Sequence, residues 1–236
     1  MKIAYIGHSG FLVETCECYY IFDYYTGVLP PLQPEKTVVV FASHAHADHY
    51  NPEIFNMLSA AGMKHITAVL SDDIAPEVYP HGGDELTVVP VSCRRTYELP
   101  CRTTVHTLRS TDEGVAFLLR CPEGTLYHAG DLNDWVWPGE SEEYNRTMSE
   151  NYRLEINLLE QYRKEYLNGC PIDMACVPLD PRQEEFYACG MLGFLRSVSA
   201  NNVYPMHFWD QPEVLDRFLN DYPEHSTRMK KCAVFQ

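Results

Sequence analysis

Short runs of β-branched and aromatic residues, separated by turn signals, fill the first third of the chain. Runs of this length and composition are typical of β-strands. The run TVVVF at 37–41 is apolar throughout, which is typical of a strand buried on both faces. The pattern predicts strands over residues 3–6, 11–14, 19–22, 37–41, 66–70, 87–91, 103–108, 115–120, 126–129, 174–177 and 202–206.

Apolar residues at helical spacing separate several of these runs. Pro52 stands at the first turn of a segment in which Ile54, Phe55 and Leu58 recur at helical spacing before Gly62. The same reasoning predicts helices over about 141–167, 183–197 and 212–219. Strands in both halves with helices between them indicate a layered α/β fold with two sheets. No linker or repeat divides the chain, so we expect one domain over residues 1–236.

The charge and the cysteines restrict the class of partner and the compartment. The chain has 18 Lys and Arg against 33 Asp and Glu, a formal net charge of −15 over 236 residues, and no basic stripe. We therefore expect neither nucleic acid nor an anionic membrane as a partner. The nine cysteines are scattered without a CxxC pair, and no apolar run approaches the roughly 20 residues of a membrane span. These features predict a cytoplasmic protein, and the sequence leaves association into homo-oligomers open.

Three imidazoles and a carboxylate follow the buried strand within six positions, as His44, His46, Asp48 and His49. Imidazole and carboxylate are the ligands that Zn²⁺ prefers apart from thiolate, and a loop between a strand and a helix is able to turn them toward one point. The pattern predicts a metal site. The alternative is a histidine-rich loop that is exposed to solvent.

The segment resembles the His-x-His-x-Asp-His signature of the metallo-β-lactamase superfamily of metal-dependent hydrolases. The resemblance extends to the segments at 7–13 (GHSGFLV), 22–23 (FD), 128–131 (HAGD) and 205–207 (PMH). These forms look most like the branch that includes the ascorbate-phosphate lactonases and the N-acyl-phosphatidylethanolamine phospholipase D type. The resemblance implies a four-layer αββα sandwich of two mixed sheets, with a metal site at one edge.

The resemblance also implies a ligand set for two metals. One would be bound by Asp48, His49, His207 and Asp131, and the other by His44, His46 and the shared Asp131. Zinc is the expected metal, with manganese or iron as alternatives.

One family ligand is missing from this set. The position of a third histidine for the second metal is occupied by Arg109, which has no lone pair to donate. We expect Arg109 to project toward the site, where it would repel a second metal, leave a single metal tightly held, and either pair with an aspartate or receive an anionic substrate group. The alternative is that Arg109 swings out to solvent and that Asp112 or His8 completes a second site. Asp112 is the first candidate for a replacement ligand, ahead of His106 and His8. His8 is alternatively a residue that holds a ligand by a hydrogen bond.

These residues predict a hydrolase. A metal-activated water would attack an ester, lactone, amide or phosphodiester of a small molecule, and Asp48 or Asp131 would orient that water. Trp135 and Trp137 would cover the pocket and contact substrate, or alternatively pack beneath the following helix. The competing hypothesis is a metal-binding or ligand-sensing protein that keeps the fold with weakened catalysis.

Overall fold

The computed structural model describes residues 1–81 and 86–231, which form two six-stranded mixed sheets. In the first sheet the order is β1-β2-β3-β4-β5-β6, and in the second it is β12-β11-β10-β9-β8-β7. The strands of the first sheet are β1 (Lys2–Gly7), β2 (Gly10–Glu14), β3 (Cys18–Phe22), β4 (Thr37–Ala42), β5 (Ile66–Ser71) and β6 (Leu86–Val91). Those of the second are β7 (Thr96–Leu99), β8 (Thr103–Arg109), β9 (Val115–Cys121), β10 (Gly124–His128), β11 (Ile172–Pro178) and β12 (Ala200–Met206).

Helices cover the outer face of each sheet. They are α1 (Glu53–Ala60), α2 (Glu142–Tyr166), α3 (Cys189–Ser197) and α4 (Val214–Asp221), and short 3₁₀ segments lie at Pro76–Val78, Pro181–Phe186 and Pro223–His225. Alternate residues of β4 pack on opposite sides of the first sheet, because successive side chains of a strand point to opposite faces. Val38 and Val40 pack in the cluster that includes α1, whereas Val39 and Phe41 pack in the larger core that the two sheets share. The predicted αββα sandwich is confirmed.

Two elements differ from the sequence prediction. The edge strand β7 was not predicted, because its four residues, TYEL, carry too short and too polar an alternation. The single helix predicted over 183–197 is wrong in its first part. Pro181–Phe186 is a 3₁₀ segment that a positive φ of 54° at Glu184 interrupts, and α3 begins only at Cys189.

The candidate ligands gather because the strands that carry them end at the same edge of the sandwich. In the first sheet β3 and β4 run parallel, and in the second β10, β11 and β12 do so. Polar residues directly after these strand ends therefore meet at the carboxyl edge, as they do in open α/β sheets. Asp23 follows β3, Ser43 follows β4, Asp131 follows β10, Asp180 follows β11 and His207 follows β12.

The remaining sequence predictions concern cysteines and membranes. Eight cysteines lie in the described part of the chain and all are free. The ninth, Cys232, is the first of the last five residues of the predicted domain, which lie outside the described part. Within residues 1–81 and 86–231, every helix is too short or too polar to cross a bilayer.

Candidate metal centre

The histidine motif begins on a serine that is anchored from both sheets. Ser43 donates to Asp23 through its backbone N–H at 2.8 Å and through its Oγ at 2.6 Å. The backbone N–H of Val115, in the second sheet, donates to the Ser43 carbonyl at 2.9 Å. Gly114 and Gly130 have positive φ, and a Cβ on either would lie 2.0 to 2.6 Å from an atom of Ser43. The two glycines let the second sheet approach the start of the motif.

Seven side chains form two candidate ligand sets. His8, Asp48, His49 and His207 form the inner set, and His44, His46 and Asp131 form the outer set. Within each set the ligand atoms lie within 4.8 Å of one another. His44 and His49 are completely buried and only His46 of the three histidines is exposed, which disfavours the alternative of a solvent-exposed histidine-rich loop. The sequence-predicted ligands are thus brought together, and His8 joins them.

Asp131 lies between the two sets. Its Oδ1 is 3.2 Å from His49 Nε2 and 3.4 Å from His207 Nε2, both in the inner set. Its Oδ2 is 3.6 Å from His44 Nε2, in the outer set. One carboxylate oxygen therefore faces each set, which is the arrangement that a bridging ligand requires.

Three of the histidines are oriented by an oxygen at Nδ1. His49 Nδ1 lies 2.7 Å from Asp23 Oδ2, His207 Nδ1 lies 3.0 Å from Asp180 Oδ2, and His44 Nδ1 lies 2.9 Å from Ser43 Oγ. A metal-binding histidine commonly donates its other ring N–H to such a partner, which fixes the tautomer and the ring. The contacts direct each Nε2 toward the other ligands, and His44 Nε2 lies 3.0 Å from His46 Nδ1 of its own set.

The buried polar atoms at the centre test whether a metal fits. His49 Nε2 and Asp131 Oδ1 are buried, and neither has a hydrogen-bond partner of good geometry in the described part of the chain. Both ring nitrogens of His8 are also buried without such a partner. Leaving buried polar groups unpaired costs free energy. A bound cation would satisfy His49 and Asp131 at once, so the residues fit a metal.

The charges of these groups agree with that fit. Burial disfavours the charge on Asp131, yet the facing imidazoles of His49 and His207 hold the pKa of its carboxyl far below the usual range. Burial lowers the pKa of His44 and of His8. Burial also opposes the charge on His49, but Asp131 and Asp23 outweigh it and raise the pKa of that imidazole. Ionised carboxylates and neutral imidazoles are the forms that bind metals, so Asp131, His44 and His8 are in the binding form, whereas a metal at His49 would displace a proton.

An open cleft of about 300 Å³ lies over the ligand sets. Aromatic and long side chains form its walls: Trp135, Trp137, Tyr144, Met148, Arg182 and Trp209. Trp135 donates from Nε1 to the Asp131 carbonyl at 2.9 Å and stacks on Trp137. Trp137 also holds α2, because its backbone N–H and carbonyl pair with the Asn145 amide. Both tryptophans line the cleft as the roofing hypothesis requires, and their contact with substrate stays a prediction.

The structure does not place Arg109 at the ligand sets, so that expectation is corrected. The side chain is exposed and lines a separate pocket with Arg94 and Glu155, and its backbone N–H donates to Glu155 Oε2 at 3.2 Å. By strand alternation Arg109 shares its face with Val105 and Thr107, which are buried, but at the end of β8 that face is exposed and Glu155 of α2 accepts from the backbone. The chain turns back only after Arg109.

Of the three candidate replacements, two lie near the ligands. Asp112 lines the cleft, and its Oδ2 is 3.9 Å from His46 Nδ1. His8 Nε2 lies 3.2 Å from Asp48 Oδ2, inside the inner set. His106 instead stacks on Tyr166 of α2, with ring centres 3.8 Å apart. The assignment of Asp112 as a ligand stays a prediction.

Asp180, Arg182 and Trp209 were not singled out from the sequence. Asp180 is fully buried, pairs with Arg182 and orients His207. The signal that could have found it is a carboxylate at a strand end followed by Pro181. Arg182 lies in a short 3₁₀ segment and Trp209 in a turn, where periodicity gives no direction for a side chain.

The comparisons with known proteins agree with this geometry. A family model described as a beta-lactamase superfamily domain matches residues 2–146, which include the motif and Asp131. The chain belongs to the beta-lactamase superfamily. The predicted superfamily is confirmed, and the more specific branch stays a prediction.

The chain is 29% identical over 142 residues to a UPF0173 metal-dependent hydrolase of Pyrobaculum arsenaticum. The match covers 56% of the chain and 61% of that relative. Among solved structures, the metallo-beta-lactamase fold protein YhfI of Bacillus subtilis superposes with a TM-score of 0.59 at 12% identity, covering 92% of both chains. CmlA, a diiron beta-hydroxylase of Streptomyces venezuelae, gives 0.62 at 12% identity, covering 98% of this chain and 52% of its own. At these identities the structures show the fold alone.

Proposed function

We propose that this protein is a metal-dependent hydrolase that cleaves an ester, lactone, amide or phosphodiester bond of a small molecule. The observation that carries the proposal is the pair of ligand sets on either side of Asp131, at the base of an open cleft. The name of the Pyrobaculum relative, a metal-dependent hydrolase, supports it. A small substrate is favoured because the cleft holds about 300 Å³ and the net charge of −15 opposes a polyanion.

The donor set indicates the cofactor. Asp48, His49 and His207 would hold one divalent ion, His44 and His46 the other, and Asp131 would contact both. We propose zinc, because the donors are imidazole nitrogen and carboxylate oxygen, with manganese or iron as alternatives. When bound, such an ion supplies Lewis-acid polarisation of the substrate oxygen and lowers the pKa of a water molecule.

The two catalytic carboxylates predicted from the sequence have different surroundings. Asp131 is buried and both of its oxygens face imidazoles, so it serves as a ligand. The Asp48 side chain is 25% exposed and lines the cleft. We therefore assign orientation of the attacking water to Asp48, whose Oδ2 lies 3.2 Å from His8 Nε2.

Metal content and hydrolysis test the proposal together. The protein should bind zinc and hydrolyse members of a panel of 4-nitrophenyl esters, aryl lactones and bis(4-nitrophenyl) phosphate, and chelation should abolish turnover. His44→Ala combined with His49→Ala should leave a folded protein that binds less than one equivalent of metal, because each set loses a ligand. Full metal content in that double variant would refute the site assignment.

The alternative, a metal-binding or sensing protein with weakened catalysis, has one observation in its favour. The outer set has only three donors, one of which, His46, is exposed, and Arg109 lies outside the cleft. Stoichiometric metal binding without turnover on the whole panel would favour this alternative over hydrolysis.

A further inference from the structure

Arg182 is the one cationic side chain among the described residues that line the cleft. We propose that Arg182 receives a carboxylate group of the substrate, so that the molecules processed here are small carboxylate-bearing esters or lactones. This inference rests on the proposed hydrolase function and assigns to Arg182 the anion-binding role that the sequence had suggested for Arg109.

The guanidinium is held in a fixed position and keeps N–H donors that are not used in that pairing. Its Nε and Nη2 pair with both oxygens of Asp180, a fully buried carboxylate, at 2.5 to 3.0 Å. The Nη1 group has no hydrogen-bond partner within residues 1–81 and 86–231, and the side chain is 45% exposed. Arginine carries five N–H donors in a planar fork, so this end remains able to bind a carboxylate.

Two tryptophan rings fix the guanidinium further. The carbon Cζ lies 4.8 Å from the centre of the Trp209 ring and 5.8 Å from that of Trp137. Such contacts attract a cation to the ring faces and reduce the freedom that the side chain would lose on binding. The arginine is therefore oriented before any ligand arrives.

The position of Arg182 determines how far a bound carboxylate would lie from the ligand sets. Asp180 contacts Arg182 on one side and His207 Nδ1, at 3.0 Å, on the other. One carboxylate and one imidazole thus separate the guanidinium from Asp131. This short separation suits a small molecule that carries its carboxylate a few bonds from the bond to be cleaved.

The charge of the cleft favours a carboxylate over a phosphate monoester. Asp48, Asp112 and Asp131 also line the cleft, and Asp180 already neutralises part of the Arg182 charge. A dianionic group would meet these three carboxylates with a single, partly compensated cationic side chain, whereas a carboxylate brings one negative charge. Trp209, 38% exposed, and Tyr144, 39% exposed, offer apolar surface to the rest of the molecule.

A matched pair of substrates tests the inference. The zinc-loaded protein is assayed with 4-nitrophenyl hemisuccinate, which carries a carboxylate, and 4-nitrophenyl butyrate, which is neutral and of similar length. In Arg182→Gln we expect the ratio of kcat/KM for the charged ester over the neutral one to fall at least tenfold. Because loss of metal would lower both rates, the ratio isolates the anion contact, and Arg182→Lys should retain part of the preference.

The control is Arg217→Gln, since Arg217 also lies over an aromatic ring, that of Tyr187 at 3.9 Å, but outside the cleft. Its ratio should stay at the parent value. An unchanged ratio in Arg182→Gln would overturn the inference while hydrolysis of both esters left the proposed function intact.

Binding supplies a readout that does not depend on turnover. By calorimetry on the zinc-loaded protein, benzoate should bind at least tenfold more weakly to Arg182→Gln than to the parent protein, and benzamide should show no such difference. Tighter Arg182-dependent binding of phenyl phosphate than of benzoate would overturn the carboxylate assignment. If no substrate is hydrolysed, the proposed function fails, and benzoate binding alone then decides the role of Arg182.

Discussion

At the residue scale, the oxygen partners of the histidines determine which ring nitrogen is available. Asp23 accepts from the backbone N–H and the hydroxyl of Ser43 and pairs with His49 Nδ1. It is fully buried and has a positive φ of 41°, a strained conformation that the surrounding contacts maintain. One carboxylate thus fixes both the start of the motif and one of its ligands.

Asp23→Asn should weaken metal binding about 10- to 100-fold, the usual effect of removing such a partner. An amide N–H₂ in place of Oδ2 would oppose the donors of Ser43 and His49, and would favour the His49 tautomer with its proton on the metal-binding Nε2. Competition with a chromogenic chelator measures the affinity. Asp173→Asn is the control, because Asp173 accepts in the same way from Thr125 but lies outside the site. Equal affinity in Asp23→Asn and the parent would contradict the assignment.

A second prediction concerns the replacement ligand. Asp112→Asn should reduce the zinc bound at micromolar concentration from two equivalents toward one, because the outer ion would lose the cleft carboxylate that lies 3.9 Å from His46 Nδ1. The inner set should keep its ion, since its donors are unchanged. Elemental analysis after gel filtration measures the stoichiometry. Glu113→Gln is the matched control: its carboxylate lies 3.5 Å from His46 Nε2, but it does not line the cleft. Two ions in Asp112→Asn would refute the role.

The residues found from the sequence and those missed have a common explanation. His44, His46, Asp48 and His49 are close in sequence, so their spacing alone predicts a shared site. Asp131 and His207 come from distant strands and were assigned only by resemblance. Arg109 was misplaced because the direction of a side chain at a strand end depends on where the chain turns, which the sequence does not specify to one residue.

At the element scale, the turn between β8 and β9 determines how closely the second sheet approaches the motif. Gly114, with φ +68°, ends this turn, and an added Cβ would lie 2.0 Å from the Ser43 carbonyl oxygen and 2.7 Å from the His44 Cβ. Both neighbours belong to the anchored start of the motif. The turn therefore has no freedom to retreat without moving His44.

Gly114→Ala should lower the free energy of unfolding by about 2 to 4 kcal/mol, because backbone strain at positive φ adds to overlap with the backbone of Ser43. Gly169→Ala is the matched control: its φ is +74°, yet nothing lies within 4 Å of the added Cβ. It should lose only about 1 kcal/mol from the backbone term. Urea unfolding monitored by tryptophan fluorescence compares the two. Equal losses would contradict the close approach.

Strands were easier to predict than the segments between them. The buried strands β3, β4 and β5 have continuous apolar runs, since both of their faces are covered, and their positions agree with the structure within a residue or two. The edge strand β7 buries one residue of four and leaves little pattern. The 3₁₀ segment at Pro181–Phe186 is positioned by the Asp180 side chain, which accepts from the Arg182 N–H, and by Pro181, so apolar periodicity gives a misleading helix there.

At the scale of the whole molecule, the candidate metal centre joins the two sheets. Asp48 and His49 come after β4 of the first sheet, whereas Asp131 and His207 come after strands of the second sheet. The inner set contains residues from both sheets. Without a cation, His49 Nε2 and Asp131 Oδ1 remain unpaired at this junction. Metal binding should therefore stabilise the packing of one sheet on the other as well as supply chemistry.

Removal of metal should lower the Tm of the whole protein. An ion that binds only the native state, at 100 times its Kd, adds about 2.7 kcal/mol to the free energy of unfolding. For a chain of this size each kcal/mol shifts the Tm by about 2–4 °C, so chelation should lower it by about 5–11 °C. Differential scanning calorimetry with and without zinc measures the shift. In the double variant His44→Ala, His49→Ala the Tm should no longer respond to zinc, because both sets lack a ligand. A parent protein with the same Tm in zinc and in chelator would show that the junction binds no metal, and the proposed centre would have to be abandoned.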